Sequence, residues 1–293
     1  MIPEVPPLVV GIEGSERSLD ALALAARLAD PGQHVLLVHV HRNGRSSNLT
    51  ALQEFLDPAT GREMRVVSDS SPARGLQAIA EEIGASLIVV GSSHRSGIGR
   101  VFAGSVAEAL LAGAPVPVAV APHGYAGANN RLATVGCGFD GSPESEEALA
   151  WAAALARRRD ARLQALAVHS RIAFGALSTT GAFGYRSADD ALRDELEQRM
   201  RAALAALADG SEVSGGVLEG DAATELAEAS AELDLLVLGS RGYGSVRSAL
   251  LGSVSRALVH SAACPVVVLL AGSAVAHRAD PAALAITQSD PGA

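Results

Sequence analysis

The sequence repeats itself at the scale of a domain. "GIEGSERSLDALALAARLAD" (11–30) returns as "GFDGSPESEEALAWAAALAR" (138–157), and "HVLLVHV" (34–40) as "LQALAVHS" (163–170). "ASLIVVGSS" (85–93) returns as "LDLLVLGSR" (233–241), and "APVPVAVAP" (114–122) as "ACPVVVLLA" (263–271). Late in each half the register is constant: Gly91 and Gly239, Gly104 and Gly252, Pro117 and Pro265 each lie 148 residues apart. A chain of 293 residues has room for two ordinary domains, and the repeat makes them two copies of one. The copies are expected over residues 1–128 and 129–272, joined near the Gly/Asn-rich "GYAGANNR" (124–131). Residues 273–293, rich in Ala, Ser, Asp and Pro, read as a fraying tail.

Within each copy, apolar runs of four to six residues alternate with helical segments. Runs apolar at every position suit strands buried on both faces, and their alternation with helices implies parallel βαβ units. In the second copy strands are expected near 133–138, 163–169, 212–218, 234–238 and 265–270, with helices near 143–159, 188–208, 222–232 and 253–262. The fold class is therefore α/β: two tandem, doubly wound, five-stranded parallel-sheet domains. A ligand would sit beyond the C-terminal strand ends, where strand order reverses. The first copy leaves only 23 residues between Val40 and Met64, so its second helix, in "SNLTALQEFLD", is expected to be short or irregular.

The segment "GSRGYGSVRSALLGS" (239–253) opens directly after the apolar "LDLLVLG". Glycine lets backbone N–H groups approach an anion closely, and serine hydroxyls add donors. A helix starting at Gly252-Ser253 supplies unpaired N–H groups with partial positive charge. Arg241 and Arg247 can add full charge, so phosphate is the natural ligand. The loop is not a dinucleotide fingerprint, because Arg247 in "GYGSVR" and Phe102 in "GIGRVF" stand where the third glycine belongs. A plainer alternative stays open: Ser253 as an N-cap, the glycines as turns, and Asp140 as a turn residue in "FDGS".

Composition removes several functions. The net charge of −9 disfavours nucleic acid as a partner. The 23 basic residues are all arginines, so a Walker A lysine, a kinase strand lysine and a Schiff-base amine are all absent. Cys137 and Cys264, far apart in strand-like segments, read as two buried thiols of a reduced cytoplasmic protein. The N-terminus lacks a signal peptide's basic start, and no apolar run is long enough to span a bilayer. "RRRDAR" (157–162) reads as a solvated cluster at a helix C-terminus, and the apolar stripe of "DALRDELEQRMRAALAAL" (190–207) as core. His39 and His41 share a strand face, but no acidic or cysteine partner follows at ligand spacing, so no metal is expected. His169 matches His39 across the repeat, which suits a structural role at a strand end.

The spacing Gly239-x2-Gly242-x9-Gly252-Ser253, with "VGCGFDGS" and the closing "APVPVAV" and "ACPVVVL" strands, resembles the universal stress protein family in its tandem, two-domain form. The resemblance covers roughly residues 5–272. It implies a Rossmann-like fold of the adenine-nucleotide alpha-hydrolase type that often binds ATP; magnesium is expected beside the nucleotide because the chain has no lysine to screen a triphosphate. By resemblance, Gly138, Phe139 and Asp140 would meet the adenosine, and the backbone near Ser170 would border adenine. Leu238, Gly239, Arg241, Gly242, Gly252, Ser253, Val254 and Ser255 would hold ribose and phosphates. The first-copy counterparts are Gly11, Ile12, Glu13, Val40, Gly91, His94, Gly104, Ser105 and Val106.

The first copy departs from this pattern twice. Glu13 stands for Asp140, one methylene longer, and His94 stands for Gly242 where backbone should approach phosphate. His94 reads either as a surface loop residue or as a phosphate-facing donor. Ser105 and Glu108 also read as a capping box that would occupy donors at this helix start, whereas the second copy has Arg256 in place of Glu108. Three functions follow in order: an ATP-binding stress-response regulator with nucleotide mainly in the second copy; a slow ATPase or nucleotidyl-transfer enzyme; and a nucleotide-free interaction module. In the last, the two domains pair through their final strands and the chain pairs again as a homodimer.

Overall fold

Among the described residues ten strands form one sheet. The computed structural model describes residues 5–41, 63–93, 98–128, 131–170, 182–207, 212–240 and 251–270. In the first copy these form β1 (Leu8–Gly11), α1 (Glu16–Leu28), β2 (Val35–His41), β3 (Glu63–Ser68), α2 (Pro72–Ile83), β4 (Leu87–Gly91), α3 (Ser105–Leu111) and β5 (Val118–Ala121). In the second they form β6 (Thr134–Gly138), α4 (Pro143–Arg159), β7 (Arg162–His169), α5 (Ala182–Leu207), β8 (Val213–Glu219), α6 (Ala222–Ala229), β9 (Leu235–Gly239), α7 (Ser253–Leu258) and β10 (Val266–Leu269). The first copy's second helix, His94, Arg241, Gly242 and the tail 273–293 lie outside the described residues.

The strand order is β3-β2-β1-β4-β5-β10-β9-β6-β7-β8. Each half is a five-stranded parallel sheet in which β1 sits between β2 and β4, and β6 between β7 and β9. This is the point where strand order reverses. The halves meet edge to edge: β10 pairs antiparallel with β5, Val267 opposite Ala119.

Alternation along each strand builds two cores. Val10, Leu37 and Val89 face one layer with α1, α4 and α5, while Val9, Leu36, Val38, Ile88 and Val90 face the other with α2, α3, α6 and α7. Burial on both faces is why these strands read as unbroken apolar runs rather than alternating ones. Cys137 and Cys264 are free and buried in these layers, and burial pushes both thiols well above the usual range.

Local chemistry sets the helix limits. In α4 the Ser142 side chain accepts from the N–H of Ser145, Pro143 sits in the first turn, Glu144 and Glu146 follow, and Arg157, Arg158 and Arg159 end the helix. Cap, proline and charge order all match a helix and its dipole. Helix α5 begins at Ala182, earlier than 188, and α7 ends at Leu258, short of 262. The residues after Leu258 turn toward the other copy, where the Val101 and Ala103 N–H groups donate to the carbonyls of Ala262 and Val259.

Two expectations change at this seam. The arginine run is not simply solvated: Arg158 Nε lies 2.9 Å from Asp30 of the first copy, and Arg159 donates to the Ala29 carbonyl. Glu108 does not complete a capping box. The helix begins at Ser105 with Gly104 as its N-cap and no side-chain cap bond, and Glu108 instead pairs with His260 at 3.2 Å. The connecting segment is also anchored. Tyr125 is buried, its hydroxyl pushed up to about 12 by burial, and the Gly124 and Ala126 N–H groups donate to the buried Asp20.

Candidate functional site

A cavity of about 290 Å³ opens beyond the C-terminal ends of β1, β2 and β4, at the switch point of the first copy. Gly11, Ile12, Glu13, Val40, Gly91, Gly104, Ser105 and Val106 all line it, so the topology gathers from distant stretches the first-copy residues expected there. Its lining combines aliphatic side chains, Val38, Val40 and Leu76, with the polar Arg17, Ser93 and Ser105.

The loop between strand and helix is tied at its neck. The Ser93 N–H donates to the Phe102 carbonyl at 2.8 Å, and Ser92 Oγ accepts from the Phe102 N–H at 3.3 Å. In the second copy the strand end and the helix start are tied by a different bond, from the Gly252 N–H to the Ser240 carbonyl at 2.6 Å. Beyond each neck a short helix starts on a glycine N-cap, Gly104 or Gly252, with no side-chain cap bond. Ser253 is thus a first-turn residue rather than an N-cap. First-turn N–H groups without a side-chain acceptor are the donors an anion uses.

The second-copy residues occupy corresponding places. Gly138 ends β6, followed by Phe139 and Asp140; Ser170 follows β7; Leu238 and Gly239 end β9; Ser253, Val254 and Ser255 open α7. Phe139 and Leu238 are buried in the core, so only their backbone can face a ligand. Ser255 Oγ donates to the Gly239 carbonyl at 2.7 Å, and Ser170 Oγ to the Gly220 carbonyl at 2.9 Å.

Sequence reasoning missed Arg17. It lines the cavity, and its guanidinium pairs with Glu13. The signal was available in the repeat itself, since the same position in the second copy is Glu144. It also missed that Ser18 and Ser145 accept from the N–H groups of Glu13 and Asp140, fixing both strand-end turns. His39 Nδ1 lies 2.9 Å from the Ile12 carbonyl, a strand-end tie, and His169 Nε2 lies 2.9 Å from Asp189. Among the described residues no group of three His, Cys, Asp or Glu could hold a metal, and no helix is long and apolar enough to cross a membrane.

The sequence profile of the universal stress protein family matches residues 44–122 and again 132–269. One universal stress protein of Mycobacterium tuberculosis is 35% identical over 211 residues, covering 71% of this chain and 70% of the relative. A second from the same species is 27% identical over 290 residues, covering 89% of this chain and 99% of its own. The crystal structure of a universal stress protein from Archaeoglobus fulgidus superposes with a TM-score of 0.61 at 19% identity, covering 91% of this chain and 99% of that one. A putative universal stress protein from Pseudomonas aeruginosa gives 0.63 at 18% identity, covering 94% and 96%.

Proposed function

This chain belongs to the universal stress protein family, and we propose that it is a nucleotide-binding regulator of the stress response, holding ATP chiefly in its second copy. The observation that carries this reading is the build of the strand ends at the switch point. In the first copy these ends line a cavity with aliphatic side chains together with the loop and helix start after β4, and the second copy repeats the sequence of those ends, with a helix start whose N-cap is glycine. An aliphatic wall suits the face of a purine, while first-turn N–H groups and serine hydroxyls suit phosphate.

In the second copy the proposed contacts are Gly138, Phe139, Asp140 and Ser170 toward the nucleoside. Leu238, Gly239, Arg241, Gly242, Gly252, Ser253, Val254 and Ser255 are proposed toward ribose and phosphates. Magnesium, when bound with the nucleotide, screens a triphosphate that this chain has no lysine to neutralise. The same lack of lysine favours regulation over efficient phosphoryl transfer. We place the protein in the cytoplasm, where two buried free thiols are at home. Because β5 and β10 partner each other, a homodimer of this chain would use other surfaces.

The test is to denature protein purified without added nucleotide and identify released small molecules by mass spectrometry. ATP near one equivalent per chain is expected, and added Mg-ATP should raise the melting temperature of emptied protein. A ligand at a hundredfold over Kd stabilises by about 2.7 kcal/mol. No released nucleotide together with an indifferent melting temperature would refute the reading.

A further inference from the structure

The two copies differ most sharply at one pair of positions. In the first, Glu13 at the end of β1 faces Arg17 in the first turn of α1; in the second, Asp140 and Glu144 hold those places. The Arg17 side chain is only 11% exposed and lines the cavity. Its backbone is fixed too, because its carbonyl oxygen packs where a Cβ of Gly91 would be. Arg17 Nε donates to Glu13 Oε1 at 3.0 Å, Arg17 Nη2 donates to the same oxygen, and Ser15 Oγ adds a third donor at 3.0 Å. The strand-end carboxylate of the first copy is thus held and neutralised by a cation that is itself part of the pocket wall.

Among the described residues of the second copy no cation stands where Arg17 does. Asp140 Oδ1 accepts from the N–H and hydroxyl of Ser142 at 2.9 and 2.5 Å. Among the described residues its other oxygen has no hydrogen bond, and neither Asp140 nor Glu144 has an ion pair. A nucleoside presents hydroxyl and amino donors, which need an acceptor with a free lone pair and no competing cation. Two carboxylates offer that. The first-copy carboxylate also keeps one oxygen without a hydrogen bond among the described residues, but the Arg17 guanidinium balances its charge, so it accepts a nucleoside's donors more weakly than two carboxylates with no ion pair.

Resting on the proposed nucleotide reading, we infer that Arg17 is the specificity-determining residue that closes the first pocket to the nucleoside half of ATP. It thereby sets the stoichiometry of the chain at one nucleotide rather than two. The discrimination works through an unfavourable group placed against the wrong ligand, not through a lost fold.

The experiment is equilibrium dialysis of the full chain with labelled ATP, comparing the unaltered protein with Arg17→Glu, Arg17→Ala and the pair Glu13→Asp with Arg17→Glu. His94 is unchanged throughout, and circular dichroism melts establish that each variant folds. The unaltered chain should bind one ATP, and the variants should gain a second site whose affinity is raised at least about tenfold. Arg17→Ala removes the cation without adding charge, so it keeps the test valid should the glutamate variant fail to fold. Stoichiometry that stays at one in all folded variants, or already stands at two in the unaltered chain, overturns the inference. An unaltered chain that binds none while Arg17→Glu binds one would sustain the role of Arg17 and sink the second-copy assignment; no binding by either would sink both.

Discussion

The carbonyl oxygen of Glu144 lies 2.8 Å from the point that a Cβ of Gly239 would occupy. The glycine at the end of β9 is therefore fixed by the close approach of α4, as Gly91 is by α1, whatever the loop beyond it binds. Gly239→Ala should overpack this contact and cost about 1–3 kcal/mol, read as a lower urea midpoint at unchanged slope. Gly216 in β8 has open space where its Cβ would be, so Gly216→Ala is the control and should leave the midpoint within error or raise it.

Asp20 ties the first copy to the segment that leads into the second. It is buried in α1 and accepts from the Gly124 N–H at 3.0 Å and the Ala126 N–H at 2.8 Å. Asp20→Ala leaves both donors without their acceptor, at a cost of about 1–3 kcal/mol. Limited proteolysis should then cut faster around residues 124–128 than in the unaltered chain. An unchanged cleavage rate would mean that the segment is held by the packing of Tyr125 alone.

Much of the fold was legible because its rules are local. The helix expected over 143–159 is α4, since serine cap, proline and charge order all lie within one stretch of chain. The strands were legible because a strand covered on both faces has no polar side to interrupt its run. What escaped depends on contacts between copies. Arg158 and Arg159 look like a solvated helix end until Asp30 and Ala29 of the other copy arrive. Glu108 fits a capping pattern by spacing, yet His260 captures it. Arg17 was not singled out, because its role appears only when its side chain is found lining the same cavity as Glu13 and Val40.

Cys137 and Cys264 are buried, and desolvation of the thiolate pushes both thiols far above their ordinary range. The thiolate is the reactive form, so the native protein should be inert to a disulfide reagent at pH 8. Absorbance titration with such a reagent should count none in buffer and two in denaturant. Rapid labelling of native protein would show that one of the layers opens readily.

The asymmetry between copies can be read at their helix starts. Gly252 precedes α7 with φ −59° and ψ 156°, and Gly104 precedes α3 with φ −85° and ψ 175°, backbone that valine also adopts. Gly252→Val should therefore keep the fold while placing a branched side chain at the mouth of the second-copy loop. Labelled ATP in equilibrium dialysis should then lose most of its binding, at least about tenfold in affinity. A Cβ on Gly104 would approach Ser93 Cβ at 3.1 Å, so the backbone of the neck must yield by a few tenths of an ångström, and a circular dichroism melt establishes first that this variant folds. It alters a pocket whose carboxylate is already clamped by Arg17, and ATP binding should change little. Equal losses from the two variants would mean that both copies share the nucleotide. A loss from Gly104→Val alone would move the site to the first copy.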